Sequence, residues 1–228
     1  MRNGCAAINA AEFMNAGFSN LATLKAQLLS PSLLSSTDWD ARVLAFGLGV
    51  AGAIEVFCNR KFKYTAGALD VTQGDRSCWY VQRYPVTQFT KVELRFFRAD
   101  AWTDISGQPL AADEGKGLIH FGYTLGREPM QVRVTYNGGY WWPQLDSGDA
   151  GYPDTVPADI TNNAAGIAAT DFLLPAELQL AWFIQCRQLW AGMDKIGDEI
   201  AKVSENPGTQ FVPQVERILT KYIRRQLT

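Results

Sequence analysis

Met130-Gln131-Val132-Arg133-Val134-Thr135-Tyr136 alternates strictly between apolar and polar residues. A period of two places Met130, Val132, Val134 and Tyr136 on one face of a strand and Gln131, Arg133 and Thr135 on the other. Lys91-Val92-Glu93-Leu94-Arg95-Phe96 repeats the pattern, with Val92, Leu94 and Phe96 inward and the charges outward. Ile119, Phe121 and Tyr123 supply a third strand, and Cys78 to Gln82 a fourth. Turn residues separate them at Gly67, Gly74-Asp75, Ser106-Gly107, Glu114-Gly115 and Asn137-Gly138. The expectation is an antiparallel β unit over residues 62–142.

On both sides of that unit the period becomes helical. Upstream, Leu21, Leu24, Leu28 and Leu29 recur at helical spacing until Pro31 ends the run. Ser35-Ser36-Thr37-Asp38 then offers N-caps to a helix from Trp39 to Phe57. Its apolar positions Trp39, Val43, Phe46, Val50, Ala53 and Phe57 step by four and three, one face. Gly47, Gly49 and Gly52 interrupt this helix, although each interior glycine costs about 1 kcal/mol relative to alanine. With Ala41 and Ala45 some of them form a small-residue face. Such a face serves either the close approach of a neighbouring subunit's helix or tight packing within the chain.

Downstream, residues 143–174 are rich in Gly, Pro, Asp, Asn and Ala and read as a long loop with at most one weak helical turn. A helix follows with Pro175 in its first turn. Leu178, Ala181, Trp182, Phe183, Ile184, Cys186, Leu189 and Trp190 cover most of its circumference, which predicts burial on most sides. A last helix starts at Pro213, with Val215, Leu219 and Tyr222 on an apolar stripe and Arg217, Lys221 and Arg224 on a basic one. The fold class expected is α+β. Helices in 1–61 and 175–228 form one bundle, and the antiparallel β domain is inserted at 62–142.

Composition bounds the function. The 228 residues carry 21 Lys and Arg against 23 Asp and Glu, a net charge of −2. A protein that coats DNA needs many uncompensated cations. The charge is uneven: residues 146–205 hold 3 basic and 10 acidic groups, and residues 211–228 hold 4 basic and 1 acidic. Unlike segments of neighbouring copies could therefore pair. The longest apolar run, Val43 to Ile54, falls short of the ~20 residues that a bilayer span needs, so no membrane partner is expected. The first residues lack the pattern of a secretory leader.

Candidate chemistry is sparse. His120 is the single histidine, which leaves histidine-dependent triads and metal sites without material. Cys5, Cys58, Cys78 and Cys186 show no C-x-x-C pair, so reduced thiols without metal are expected. The carboxylate pairs Asp38/Asp40, Asp113/Glu114 and Asp198/Glu199 fall in caps, turns or a polar helix rather than in two contrasted environments. No lysine-bearing phosphate loop is present. The residues thus suggest no catalytic site and no cofactor. Tyr140-Trp141-Trp142 is the most conspicuous aromatic run. It can pack in the core, anchor a subunit interface or form a sugar-stacking platform, the last making the protein a carbohydrate- or surface-binding β module.

Five motifs in order resemble the head–tail connector (adaptor) family of long-tailed bacteriophages. They are Asp38-Trp39-Asp40 through Ala53-Ile-Glu-Val-Phe-Cys-Asn-Arg60, Arg83-Tyr-Pro-Val-Thr-Gln-Phe-Thr-Lys-Val-Glu-Leu94, Val132-Arg-Val-Thr-Tyr-Asn-Gly-Gly-Tyr140, Leu174-Pro-Ala-Glu-Leu178 and Phe211-Val-Pro-Gln-Val-Glu-Arg-Ile-Leu-Thr-Lys-Tyr-Ile-Arg-Arg225. The likeness covers about 38–142 and 172–228. The β region is longer than in compact members, and residues 143–173 are extra. The resemblance implies a non-catalytic virion protein at the portal vertex, or neck, assembled in the host cytoplasm. It implies a homo-oligomeric ring, commonly of twelve copies, under the portal protein. Such a ring extends the channel through which double-stranded DNA passes without sequence-specific binding, and it offers a platform to a stopper or tail-completion protein. Carried onto this chain, the family's C-terminal reach toward the portal falls on Arg217, Lys221, Arg224 and Arg225. A solvated helix face, or contact with an acidic segment or DNA, remains the alternative for these cations. Gly49, Gly52, Trp141 and Trp142 are the candidates for the contact between subunits.

Overall fold

Asn20 caps the first helix by accepting the Thr23 N–H at 3.0 Å, and from this point the chain is built of the helical and strand segments that its periodicities demand. The computed structural model describes residues 17–73, 77–107, 110–121, 130–147, 149, 151–193 and 211–224. The helices are α1 (Leu21–Leu28), α2 (Asp40–Cys58), α3 (Ala158–Thr161), α4 (Ala176–Met193) and α5 (Pro213–Leu219). The strands are β1 (Thr65–Gln73), β2 (Cys78–Tyr80), β3 (Val86–Arg95), β4 (Thr103–Asp104), β5 (Leu110–Asp113), β6 (Leu118–Phe121) and β7 (Gln131–Gly138). The fold is α+β, with α-helices and antiparallel sheets. Two compact units divide the chain. The helical unit takes Met1–Phe57, Trp142–Thr155 and Pro175–Tyr222, and the β unit takes Cys58–Trp141, Val156–Leu174 and Ile223–Thr228.

In the β unit, one sheet has the order β1-β7-β3-β4 and a second the order β2-β6-β5. Val92, Leu94, Val132, Val134 and Tyr136 from the first sheet meet Ile119 and Phe121 from the second in one core, as alternation requires. Asn137-Gly138 does not form the expected turn. Both residues lie in β7, and Gly138 is paired with Thr65 on one side and Val86 on the other. A Cβ at Gly138 would sit 2.9 Å from the Arg83 carbonyl oxygen, and at Gly139, with φ +110°, 2.7 Å from that of Lys63. The glycines are there because neighbouring backbone passes so close. Gly67 is likewise no turn: it sits at an irregularity of β1, and its N–H donates to Asn137 Oδ1 at 2.7 Å.

In the helical unit, α2 turns a different face inward from the one its large residues suggest. Val43, Leu44, Gly47, Val50, Ala51, Ile54 and Cys58 are buried, whereas Trp39, Phe46, Ala53 and Phe57 are half-buried. The cause is Trp182 of α4. Its indole is fully buried, and its N–H donates to the Gly47 carbonyl at 3.1 Å, the partner that a buried indole requires. Gly17, at φ +110°, fits against the same place, 2.8 Å from the indole for a Cβ. Gln185, also buried, accepts the Val212 N–H that leads into α5. α4 itself is less enclosed than expected, because Leu180, Arg187 and Gln188 are exposed. Residues 143–174 are not one loop but two halves, each belonging to a different unit and held by its own contacts. Asp154 accepts from the Gln144 and Leu145 N–H groups, and the second half contains α3 and a 3-10 turn at Ala169–Phe172.

α2 is long and apolar enough by composition to cross a bilayer, which the twelve-residue run alone did not indicate. Its Val43, Gly47, Val50 and Ile54 side nevertheless lies in the protein core.

Trp182→Ala removes the largest fully buried side chain and the donor to Gly47. Chemical unfolding of the helical unit should show a loss of about 3–5 kcal/mol, and the tryptophan fluorescence transition should move accordingly.

Candidate interaction surfaces

With one side of α2 inside, the opposite side consists of Ala41, Ala45, Leu48, Gly49, Gly52 and Val56. Leu48 is 42% and Val56 80% exposed. A Cβ added at Gly49 or Gly52 would meet nothing within 4 Å. Close packing within the chain therefore uses Gly47 and Gly17, not the two glycines that the spacing singled out. Among the described residues nothing fills the space beside Gly49 and Gly52.

The basic C-terminal stripe is divided. Arg217 is exposed, and its carbonyl accepts the Thr220 hydroxyl at 2.9 Å. Lys221 instead pairs with Glu177 in the first turn of α4 at 2.6 Å, and the Tyr222 hydroxyl donates to the other oxygen of that carboxylate at 2.7 Å. The hydrogen bonds from Lys221 and Tyr222 hold the Glu177 carboxyl below the ordinary range. Arg224 belongs to the β unit. Its backbone N–H donates to the Cys58 carbonyl, and its guanidinium reaches the Tyr80 carbonyl at 3.3 Å. Arg225 lies outside the described residues. The three described cations thus differ, and Arg217 is the one on α5 that is exposed and has no ion pair among the described residues.

The aromatic run is also divided. Trp142 is 4% exposed and meets Phe18 edge to face at 5.7 Å, so it is a core residue rather than an interface anchor. Half-buried Trp141 runs beside Leu173, its N–H donating to the Phe172 carbonyl. Tyr140 stacks on Phe62 at 6.3 Å, and the two rings surround the Arg60 guanidinium together with Tyr84, whose ring centroid is 3.3 Å away. Arg60, 3% exposed, also donates to the Tyr84 carbonyl. The run is consumed in holding the β unit and the Trp142 core, which leaves it no flat open platform for a sugar.

The outward face of the first sheet carries groups that the alternation placed there without revealing their arrangement. Glu93 stands opposite Arg133 on β7 and Asp104 on β4. Its nearly buried carboxylate takes Lys91 at 2.8 Å and Arg133 at 2.6 Å. The hydrogen bond from Lys91, then that from Arg133 and the charges of both, keep its carboxyl below the ordinary range against the opposing effect of burial. Trp102 lies between the guanidiniums of Arg95 and Arg133, at 4.4 and 4.5 Å. Elsewhere in this unit Asp159 gathers the Tyr64 hydroxyl, Thr87 and the Asn137 amide. Burial and this carboxylate raise the Tyr64 phenol far above its usual value. The described partners in both clusters come from the β unit itself. Cys58 and Cys186 are buried, and burial pushes the Cys186 thiol up to about 12. His120 stands across from Cys78 on neighbouring strands.

No protein-family model matches the chain, and no curated protein matches it. Among solved structures the chain is similar to one in the neck of an empty gene transfer agent particle, computed with six-fold symmetry. The identity is 14% and the TM-score 0.56, over 100% of this chain and 98% of the other. It is also similar to a chain in the virion of a native gene transfer agent particle, with 14% identity and a TM-score of 0.50, over 91% and 90%. The architecture is therefore shared with a neck component of a phage-like particle, as the connector resemblance implies for the fold.

The Glu93 network yields a pH dependence of definite sign. A carboxyl held low in the folded state stabilises the protein above its unfolded value, near 4.5, and that contribution disappears as the pH falls through the folded value. Glu93→Gln should destabilise by roughly 1–3 kcal/mol at neutral pH. The difference from wild type, followed by thermal unfolding between neutral pH and strongly acidic buffer, should shrink in acid.

Proposed function

We propose that the protein is a head–tail connector of a phage-like particle. Several copies form a ring under the portal, extend the DNA channel and present a platform to a stopper or tail-completion protein. The observation that carries this reading is the match of the whole chain to a neck chain of a gene transfer agent particle. A twelve-copy ring contains the six-fold symmetry with which that neck was computed. The aromatic run, taken up inside the two units, gives no comparable support to the carbohydrate-binding reading.

The reading assigns physical roles. A closed ring repeats one contact between two unlike surfaces. The outward side of α2 suits one half of such a contact, because small residues let a second backbone come near and Leu48 and Val56 supply apolar area. Arg217 is the cation best placed to meet an acidic group of the portal, with Lys221 available if Glu177 releases it. An inner surface without dense cations lets DNA slide, since each phosphate contact adds salt-dependent affinity.

Electron cryomicroscopy of the parent particle should find this chain between portal and tail, and a neck without it would overturn the assignment. Gly49→Leu with Gly52→Leu fills open space. It should keep the thermal midpoint of the isolated chain at or above that of wild type, because leucine is the better helix former. In sedimentation on portal-bearing particles the same variant should fail to join the ring. Arg217→Glu should lower the amount of chain retained by immobilised portal at least fivefold, with unfolding unchanged.

A further inference from the structure

The β unit carries both an apolar projection and a recess with an apolar wall. The projection is the turn after β3. Phe96, expected to face inward, stands beyond the end of the strand and is 57% exposed, and Phe97 is 59% exposed. The turn is well fastened. The Phe97 N–H donates to Asp100 Oδ2 at 2.9 Å, the Asp100 N–H returns to the Phe97 carbonyl at 3.0 Å, and Arg95 donates to the Arg98 carbonyl at 2.9 Å. Two neighbouring phenyl rings are thus held out into solvent by a defined backbone. Paired exposed aromatics on a rigid turn are the pattern of a contact anchor rather than of scattered surface apolar residues.

The recess is an open cavity of about 280 Å³, one part of its wall apolar, from Phe89, Val92, Ile119, Ala164 and Ala165, and the other part polar, Lys91 and Glu114 included. A closed cavity of ~150 Å³ admits one benzene ring, so this open one has room for one phenyl group and most of a second. The two features lie apart within one copy. Arg95, the last residue of β3, is three residues beyond Val92 on the strand, about 10 Å at ~3.3 Å per residue, and Phe96 and Phe97 follow it in the turn.

We propose that Phe96 and Phe97 of one copy enter the Phe89–Val92–Ile119–Ala164 recess of the next copy. The inference rests on the connector reading and deepens it, because a ring contact requires two unlike, complementary surfaces on each copy. Charge favours this recess over a second open cavity, about 260 Å³, which lies in the helical unit among Leu28, Leu33, Trp39, Trp190 and Arg42. Exposed Arg98 travels with the phenyl rings. It would face Arg42 in the helical cavity but Glu114 in the β recess. Lys91, also at the recess, is already engaged by Glu93 at 2.8 Å, which leaves the Glu114 charge for Arg98.

The test mixes two single-cysteine additions, so that a bond between them must join different copies. Phe97→Cys mixed with Ala164→Cys should give a disulfide-linked pair of chains under mild oxidation, with the linkage located by peptide mass. Phe97→Cys mixed with Leu33→Cys should not. Phe96→Ser with Phe97→Ser should weaken self-association at least tenfold by sedimentation at a nearly unchanged thermal midpoint, since both residues are more than half exposed in their own copy. Linkage at Leu33 instead of Ala164, unaltered self-association of the serine variant, or a strictly monomeric wild type would each overturn the contact. Rings that form without the Phe97–Ala164 linkage would remove this contact and leave the connector reading standing. Absence of the chain from the particle neck would remove that reading itself.

Discussion

Strand β7 must be flanked by backbone on both edges for the β unit to exist. It takes β1 on one side and β3 on the other, and its last residues are squeezed by the segments around Lys63 and Arg83. Only glycine tolerates such proximity at 138 and 139. The Asn137 side chain meanwhile braces both Gly67 and Asp159. Strand pairing, the β1 irregularity and the Asp159 network thus converge on three consecutive residues. The Arg60 cage begins at the next residue, Tyr140, so a buried guanidinium without a described carboxylate is held by ring faces and a carbonyl. A substitution in this short stretch would therefore disturb several elements together.

The helical unit depends on a different device. α2 is apolar on nearly every side, so hydrophobicity alone does not fix which side is inside. The indole of Trp182 does, because its N–H needs an acceptor and the Gly47 carbonyl is open to it where no side chain intervenes. Once Gly47 faces in, Gly49 and Gly52 face away. One requirement for a hydrogen bond thereby settles both the core of the unit and the character of its outer surface.

These two devices explain what the sequence disclosed and what it withheld. Strict alternation in 130–136 and 91–94 specified strands and their inward faces, because a one-residue slip would expose every valine. The prolines at 31, 175 and 213 marked helix ends by local chemistry. The phase of α2 was hidden, since a scan for large apolar residues passes over a core-facing glycine. Asn137-Gly138 imitated a turn, because the same small residue serves a tight bend and a crowded strand. Phe96 continued the alternation on paper, but the Phe97–Asp100 turn ends the strand one residue earlier. The cations at the C-terminus appeared as one stripe until Glu177, forty-four residues away from Lys221, claimed one of them. Such distant partners leave no periodic trace.

The outer side of α2 carries no ionisable group between Ala45 and Gly52. A surface of this kind has no charge for dissolved ions to mask, so whatever it clasps should hold equally in dilute buffer and in brine. Its grip derives from the release of ordered water, and that driving force fades toward freezing. Chilling, not salting, is then the treatment that would loosen it.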